Sequence, residues 1–130
     1  VRRISKKREQ LNAALRKWRK QFREQVGRCE MCLKKAQWFH LDVHELVPGY
    51  CRAQALDKPY ACLCLHRRCH MVMEMLTIPQ QMAYLLKNAP ERFDLDAYHK
   101  LIQRRWPYIE EIQSFKEKIS HAVEHQHGSS

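Results

Sequence analysis

CEMC (Cys29–Cys32), LDVHELVPG (Leu41–Gly49) and CLCLHRRCH (Cys62–His70) follow one another within 42 residues and decide the fold. Tetrahedral zinc takes four thiolate or imidazole ligands, often as two close pairs on separate turns. Cys29 and Cys32 have the spacing of one such pair. For the second, His66-x-x-Cys69 has the same spacing and Cys64-x4-Cys69 does not. Between the pairs lies an acid-x-His-acid cluster, Asp42, His44 and Glu45. A six-cysteine chain can instead carry disulfides. The interleaved histidines and the absence of a secretory leader pattern favour metal ligands in a reducing compartment.

Outward from this stretch the chain reads as follows. Trp38–Val47 alternates and is β-branched, which predicts a strand ended by Pro48-Gly49. Tyr50–Pro59 is expected to be a loop, Tyr60–Leu65 a second short strand, and Arg67–Leu76 a helix. Upstream, Ile4–Val26 carries Ile4, Leu11, Leu15, Trp18 and Phe22 at helical spacing, with Gly27 placed to end the helix. Downstream, Thr77 with Gln80 forms a capping-box pattern that opens a helix to about Asn88, stopped by Pro90. Asp94 is placed to cap Leu95–Arg105. Pro107 is placed to open a last helix with Tyr108, Ile112, Phe115 and Ile119 on one face. The tail HQHGSS (His125–Ser130) is polar and expected to fray. The predicted class is α+β: a small zinc-stapled ββα core, 27–76, flanked by a basic helical arm, 1–26, and a C-terminal helical extension, 77–130. A core of about fifty residues buries little apolar area, and a structural metal compensates for that.

The chain has 130 residues and a net charge of +10. Residues 1–28 hold eleven Lys/Arg against two Glu, a net of +9, so nearly all the excess lies on the arm. A concentrated basic segment beside a metal site predicts a polyanionic partner, most simply nucleic acid. Reversing Arg16, Lys17, Arg19, Lys20 and Arg23 is expected to weaken DNA binding and spare the fold, because the apolar stripe is untouched. No apolar run is long enough to span a membrane.

CEMC, DVHELVP and RRCH together resemble the HNH endonucleases, ββα-metal nucleases of phages and mobile elements. The resemblance covers Cys29–Glu74. In that family the second zinc pair follows an apolar residue and precedes a His. Leu65–His70 matches that frame with His66 in place of the first Cys, giving Cys29, Cys32, His66 and Cys69 as the expected structural Zn2+ ligands, with Cys64 as the alternative to His66. The resemblance further implies a catalytic divalent metal, Mg2+ or Mn2+, held by His44 and His70, with Glu74 one turn further on as an added ligand. It puts Glu45 where the family has its general base. A frame shifted by one makes His44 the base, with Asp42 or Glu45 on the metal, and both assignments stand. Regular strand alternation places Asp42 and His44 on one face and Glu45 on the other. The family's middle Asn has no counterpart near Tyr60 and Ala61. Arg52 is placed to brace a scissile phosphate.

The resemblance thus implies an intracellular, metal-dependent DNA endonuclease that nicks or cuts both strands, active in the cytoplasm or nucleoid, including that of a phage-infected cell. The alternatives are a non-catalytic zinc-stabilised DNA-binding module and a treble-clef protein-interaction domain.

Overall fold

Ser5 opens the first helix by accepting a hydrogen bond on its hydroxyl from the Arg8 N–H, and Gly27 closes it in the left-handed conformation at φ 61°. A residue with a Cβ is strained there, which is why a glycine ends this helix. The computed structural model describes residues 4–126. Arg2 and Arg3 of the basic arm, and 127–130 of the tail, lie outside them. Helix α1 spans Lys6–Val26. Strand β1 (Leu41–Glu45) pairs antiparallel with β2 (Cys62–His66), and β2 leads directly into helix α3 (Arg67–Met73). Between the strands lies a four-residue helix, α2 (Arg52–Ala55). Helices α4 (Ile78–Asn88), α5 (Leu95–Ile102) and α6 (Ile112–Glu124) complete the fold. The α+β architecture, a ββα core between a long basic helix and C-terminal helices, is the one expected.

The strand register places Leu41 opposite His66, Val43 opposite Cys64, and Glu45 opposite Cys62. Side chains alternate across a strand, so Asp42 and His44 point to the face on which α3 lies. Leu41, Val43 and Glu45 are buried on the other, toward α1. One hydrophobic core joins the strands to the outer helices: Leu41, Leu63 and Leu65 from the sheet, Phe22 from α1, Met82 and Leu85 from α4, Tyr98 from α5, Phe115 from α6. Polar ties cross the same boundary. The Tyr98 hydroxyl donates to the Leu46 carbonyl at 2.5 Å, and the Arg92 guanidinium grips the buried Glu30 carboxylate at 2.7 and 2.8 Å.

Several local expectations are corrected. Trp38–His40 forms a short 3-10 turn, so the first strand starts only at Leu41. The expected loop holds a 3-10 turn (Gly49–Cys51) and α2. The last helix opens at Ile112 on Glu111, whose side chain accepts from the Gln113 N–H, and not at Pro107; Tyr108, expected on one face with Ile112, Phe115 and Ile119, lies ahead of the helix and is 92% exposed. The stripe on α1 is covered only at its C-terminal end. Phe22 is buried and Trp18 half-buried, whereas Leu11 is 59% exposed.

The arm's basic side chains divide into two groups. Arg19 donates to the carbonyls of Leu56 and Val43 at 3.0 and 3.2 Å, and Arg23 donates to Leu41 at 3.3 Å. Lys20 and Arg23 both lie about 5 Å from the Trp38 ring centre. Arg19 and Arg23 serve the open edge of β1, where carbonyls would otherwise lack partners. The expectation that reversing all five cations spares the fold is therefore corrected. Arg8, Arg16 and Lys17 form the other group and are exposed.

Candidate metal centres

The Cys29–Cys32 turn is built on backbone hydrogen bonds. The Leu33 N–H donates to the Cys29 carbonyl at 2.8 Å, the Cys29 N–H to Lys34 at 2.9 Å, and Leu33 takes φ 67° to close the turn. This brings Cys29 and Cys32 up to the junction of β2 and α3, where His66 ends the strand and Cys69 lies on the first turn of the helix. The donor atoms of Cys29, Cys32, His66 and Cys69 all lie within 4.8 Å of one another, with Cys32 Sγ 3.4 Å from His66 Nδ1. A tetrahedron with metal–sulfur bonds of about 2.3 Å has edges of about 3.8 Å. Three thiols and an imidazole at these separations fit one zinc ion.

The electrostatics agree with that use. Burial opposes a thiolate at Cys29, yet the backbone N–H groups of Cys32, His66 and Met31 hold its pKa below the ordinary value. Burial pushes Cys69 up to about 12, aided by the neighbouring Cys29 and Cys32 sulfurs. Crowded sulfurs that obstruct one another's ionisation are what a cation relieves. Cys64 is not among the four: it is fully buried on β2, opposite Val43, and burial first, then the Glu30 charge, drives its pKa strongly up. Cys51 and Cys62 are buried, and the Cys62 thiol donates to the Ala55 carbonyl at 3.1 Å.

A second cluster lies on the other face of the sheet. His44 Nδ1 is 3.0 Å from His70 Nε2, and Glu74 Oε1 is 3.1 Å from the same His70 nitrogen. His70 and Glu74 stand one turn apart on and just beyond α3, so both reach over β1. The three offer donor atoms within 4.8 Å of one another. They line a cleft of about 440 Å³ shared with Glu45, Arg52 and Gln81.

The outer nitrogens of the two imidazoles fix what the inner ones do. His70 Nδ1 lies 3.0 Å from Asp42 Oδ2, and Arg67 Nε lies 3.1 Å from the same oxygen. An ionised carboxylate only accepts, so His70 Nδ1 carries a proton. His44 Nε2 lies 2.7 Å from Gln81 Oε1. Gln81 Nε2 in turn donates to the Leu76 carbonyl at 3.0 Å, which fixes the amide orientation. His44 Nε2 is therefore the protonated nitrogen. Burial further disfavours the charged form of His44, against the pull of the Gln81 oxygen. With both outer nitrogens protonated, the inner lone pairs face each other at 3.0 Å. That is repulsive unless a cation, a proton or a metal ion, lies between them. Two imidazoles and a carboxylate, each imidazole pinned from behind by an acceptor, fit a divalent metal.

Of the residues singled out from the sequence, His44, His70 and Glu74 come together, with Asp42 behind His70. Glu45 lies apart from them. It is buried, with Arg52 Nε at 2.5 Å and Arg19 Nη2 at 3.7 Å. Arg52 is 66% exposed on the cleft rim. Gln81 is the site residue that the motifs do not point to. A signal for it exists: with Ile78, Met82 and Leu85 it occupies the core-facing stripe of α4, a polar residue where an apolar one is expected.

No protein-family model, curated protein or solved structure gives a significant match to this chain. The arrangement is that of a ββα core able to bind metal at a Cys3His cluster and at a separate His/His/Glu cluster. Among the described residues, no helix is long and apolar enough to cross a membrane.

Proposed function

We propose that this chain is an HNH-like nuclease module that binds DNA and hydrolyses its phosphodiester backbone at the His44–His70–Glu74 cleft, with zinc at Cys29, Cys32, His66 and Cys69 holding the core together. The observation that carries the reading is the 3.0 Å approach of two imidazole nitrogens, with a carboxylate beside them, in a cleft rimmed by an arginine. A divalent cation such as Mg2+ or Mn2+ held there would supply Lewis-acid stabilisation of a scissile phosphate. The chain's own groups supply the rest. Asp42 and Gln81 hold the two imidazoles in place from behind. Glu45 turns Arg52 toward the cleft through Nε, leaving the outer guanidinium nitrogens to meet phosphate oxygens. With both His44 nitrogens engaged and Glu74 assigned to the metal, the role of general base falls to Glu45, which lines the cleft while paired with Arg52. The exposed cations of α1 provide sequence-independent attraction to the backbone.

The experiment is incubation of supercoiled plasmid with the wild type and His44→Ala across Mg2+, Mn2+ and chelator. Metal-dependent nicking by the wild type, lost in a variant that keeps its zinc, supports the reading. Equal nicking by both proteins removes the cleft from the chemistry.

A second reading, a non-catalytic zinc-stabilised DNA-binding module, is favoured by the state of Glu45. Two arginines neutralise it in a buried setting, which is poor company for a base. On that reading the wild type binds plasmid and leaves it intact with every metal.

A further inference from the structure

Helix α4 lies outside the ββα core, yet one of its side chains is buried against the metal cluster. Gln81 is only 4% exposed and uses both ends of its amide. Nε2 donates to the Leu76 carbonyl, in the link between α3 and α4; Oε1 faces His44 Nε2. A backbone carbonyl has no proton to give, so the amide can satisfy both partners in one orientation only. The Thr77–Gln80 capping box sets the start of α4, with the Thr77 N–H donating to Gln80 Oε1 at 2.8 Å, and this fixes where Gln81 stands on the first turn.

We propose that Gln81 is a positioning residue that selects the imidazole tautomer of His44, turning the Nδ1 lone pair into the cluster, so that the C-terminal extension supplies part of the metal centre. The inference rests on the His44–His70–Glu74 metal reading. Without an acceptor behind it, His44 can place its proton on Nδ1 instead, pointing at His70 Nε2. That N–H···N bond would satisfy the pair without metal and compete with coordination. Gln81 removes that option. A carboxylate in its place still offers His44 Nε2 an acceptor, at the loss of the bond to the Leu76 carbonyl, whereas a thioether of similar size offers neither.

The test has two arms. Long-range 1H–15N NMR of the wild type, loaded with zinc at the cysteine cluster and free of other metal, reads the His44 tautomer directly. Protonation at Nε2 is expected; protonation at Nδ1 overturns the proposal without any variant. In the second arm, Mn2+ binding is followed by loss of the free-ion EPR signal. Gln81→Met should weaken binding by about 10–100-fold, and Gln81→Glu should restore it. Unchanged Mn2+ affinity in a folded Gln81→Met protein, or equal loss in both variants, overturns the proposal. His44→Ala separates the two levels. If it too leaves Mn2+ binding unchanged, the metal reading itself fails. If it abolishes binding while Gln81→Met does not, only the positioning role falls.

Discussion

Arg19 reaches across from α1 to the Val43 carbonyl at 3.2 Å and so covers the open edge of the strand that carries His44. The cations of the arm are therefore not interchangeable. Arg19→Ala should cost about 1.5–3 kcal/mol, the worth of hydrogen bonds from a charged donor, read as a lower urea midpoint. Arg8, Arg16 and Lys17 are free of that duty. Neutralising them to Gln should leave the midpoint unchanged and reduce the log–log salt slope of DNA binding by about 0.9 for each phosphate no longer neutralised. An unchanged slope would move the DNA-binding surface to Arg52, Arg67 and Arg68.

Cys69→Ala should release one zinc per chain and collapse the far-ultraviolet circular dichroism of the core, because metal binding and folding are coupled in so small a unit. Cys64→Ser should keep its zinc, since the Cys64 thiol lies outside the cluster, and lose stability through burial of a hydroxyl. Metal analysis of the purified variants decides; zinc-free Cys64→Ser would displace His66 from the site.

Glu45→Gln preserves an acceptor for Arg52 Nε and removes only the charge. If the carboxylate accepts the proton of the attacking water, nicking should fall by about 10²–10⁴-fold at unchanged zinc content. A rate within a few-fold of the wild type would take Glu45 out of the chemistry and leave it as the anchor of Arg52.

Arg92→Ala strips the partner from a carboxylate that is almost sealed from water. Breaking a buried pair costs about 3–5 kcal/mol, and the side chains of Arg92 and Glu30 are only 14% and 2% exposed. Urea denaturation should show that loss, with Arg92→Lys recovering part of it. A loss under about 1 kcal/mol, the worth of an exposed pair, would mean that water reaches Glu30 in the variant.

The parts of this protein most legible in its sequence are those where short-range spacing is itself the chemistry. Cys29-x-x-Cys32 and His66-x-x-Cys69 are each closed by one local turn, so their separation in the chain is their separation in space. The Thr77–Gln80 box and the Asp94 cap are equally local and readable to the residue. Pro107 misleads because a proline is permitted at a helix start but does not require one; Glu111, a less conspicuous cap, is the residue that begins α6. The partners of the second cluster are out of reach for a different reason. Gln81 is 37 positions from His44, and Arg19 is 24 from Val43. No local rule links such pairs; only the packing of α4 and α1 on the sheet brings them together. Arg19 and Arg23 look like a solvated charge run because their targets are backbone carbonyls, which leave no trace in side-chain pattern.

Glu30 sits inside the cysteine turn, between two zinc-ligand candidates, and its interests lie elsewhere. Its carbonyl accepts from Asn88 Nδ2 at the end of α4, its carboxylate accepts from the Cys64 N–H, and the same carboxylate holds Arg92 ahead of α5. Glu30 thus ties the cysteine turn both to the end of α4 and to the segment ahead of α5. A chelator that strips metal from the four side chains at the β2–α3 junction would loosen helices about sixty positions along the chain from Glu30, and protease cleavage after α4 would report on metal content at Cys29. Metal loss at the cysteine turn and loosening of the C-terminal helices are therefore expected to run together, read as coincident circular dichroism and protease-susceptibility transitions on titration with chelator.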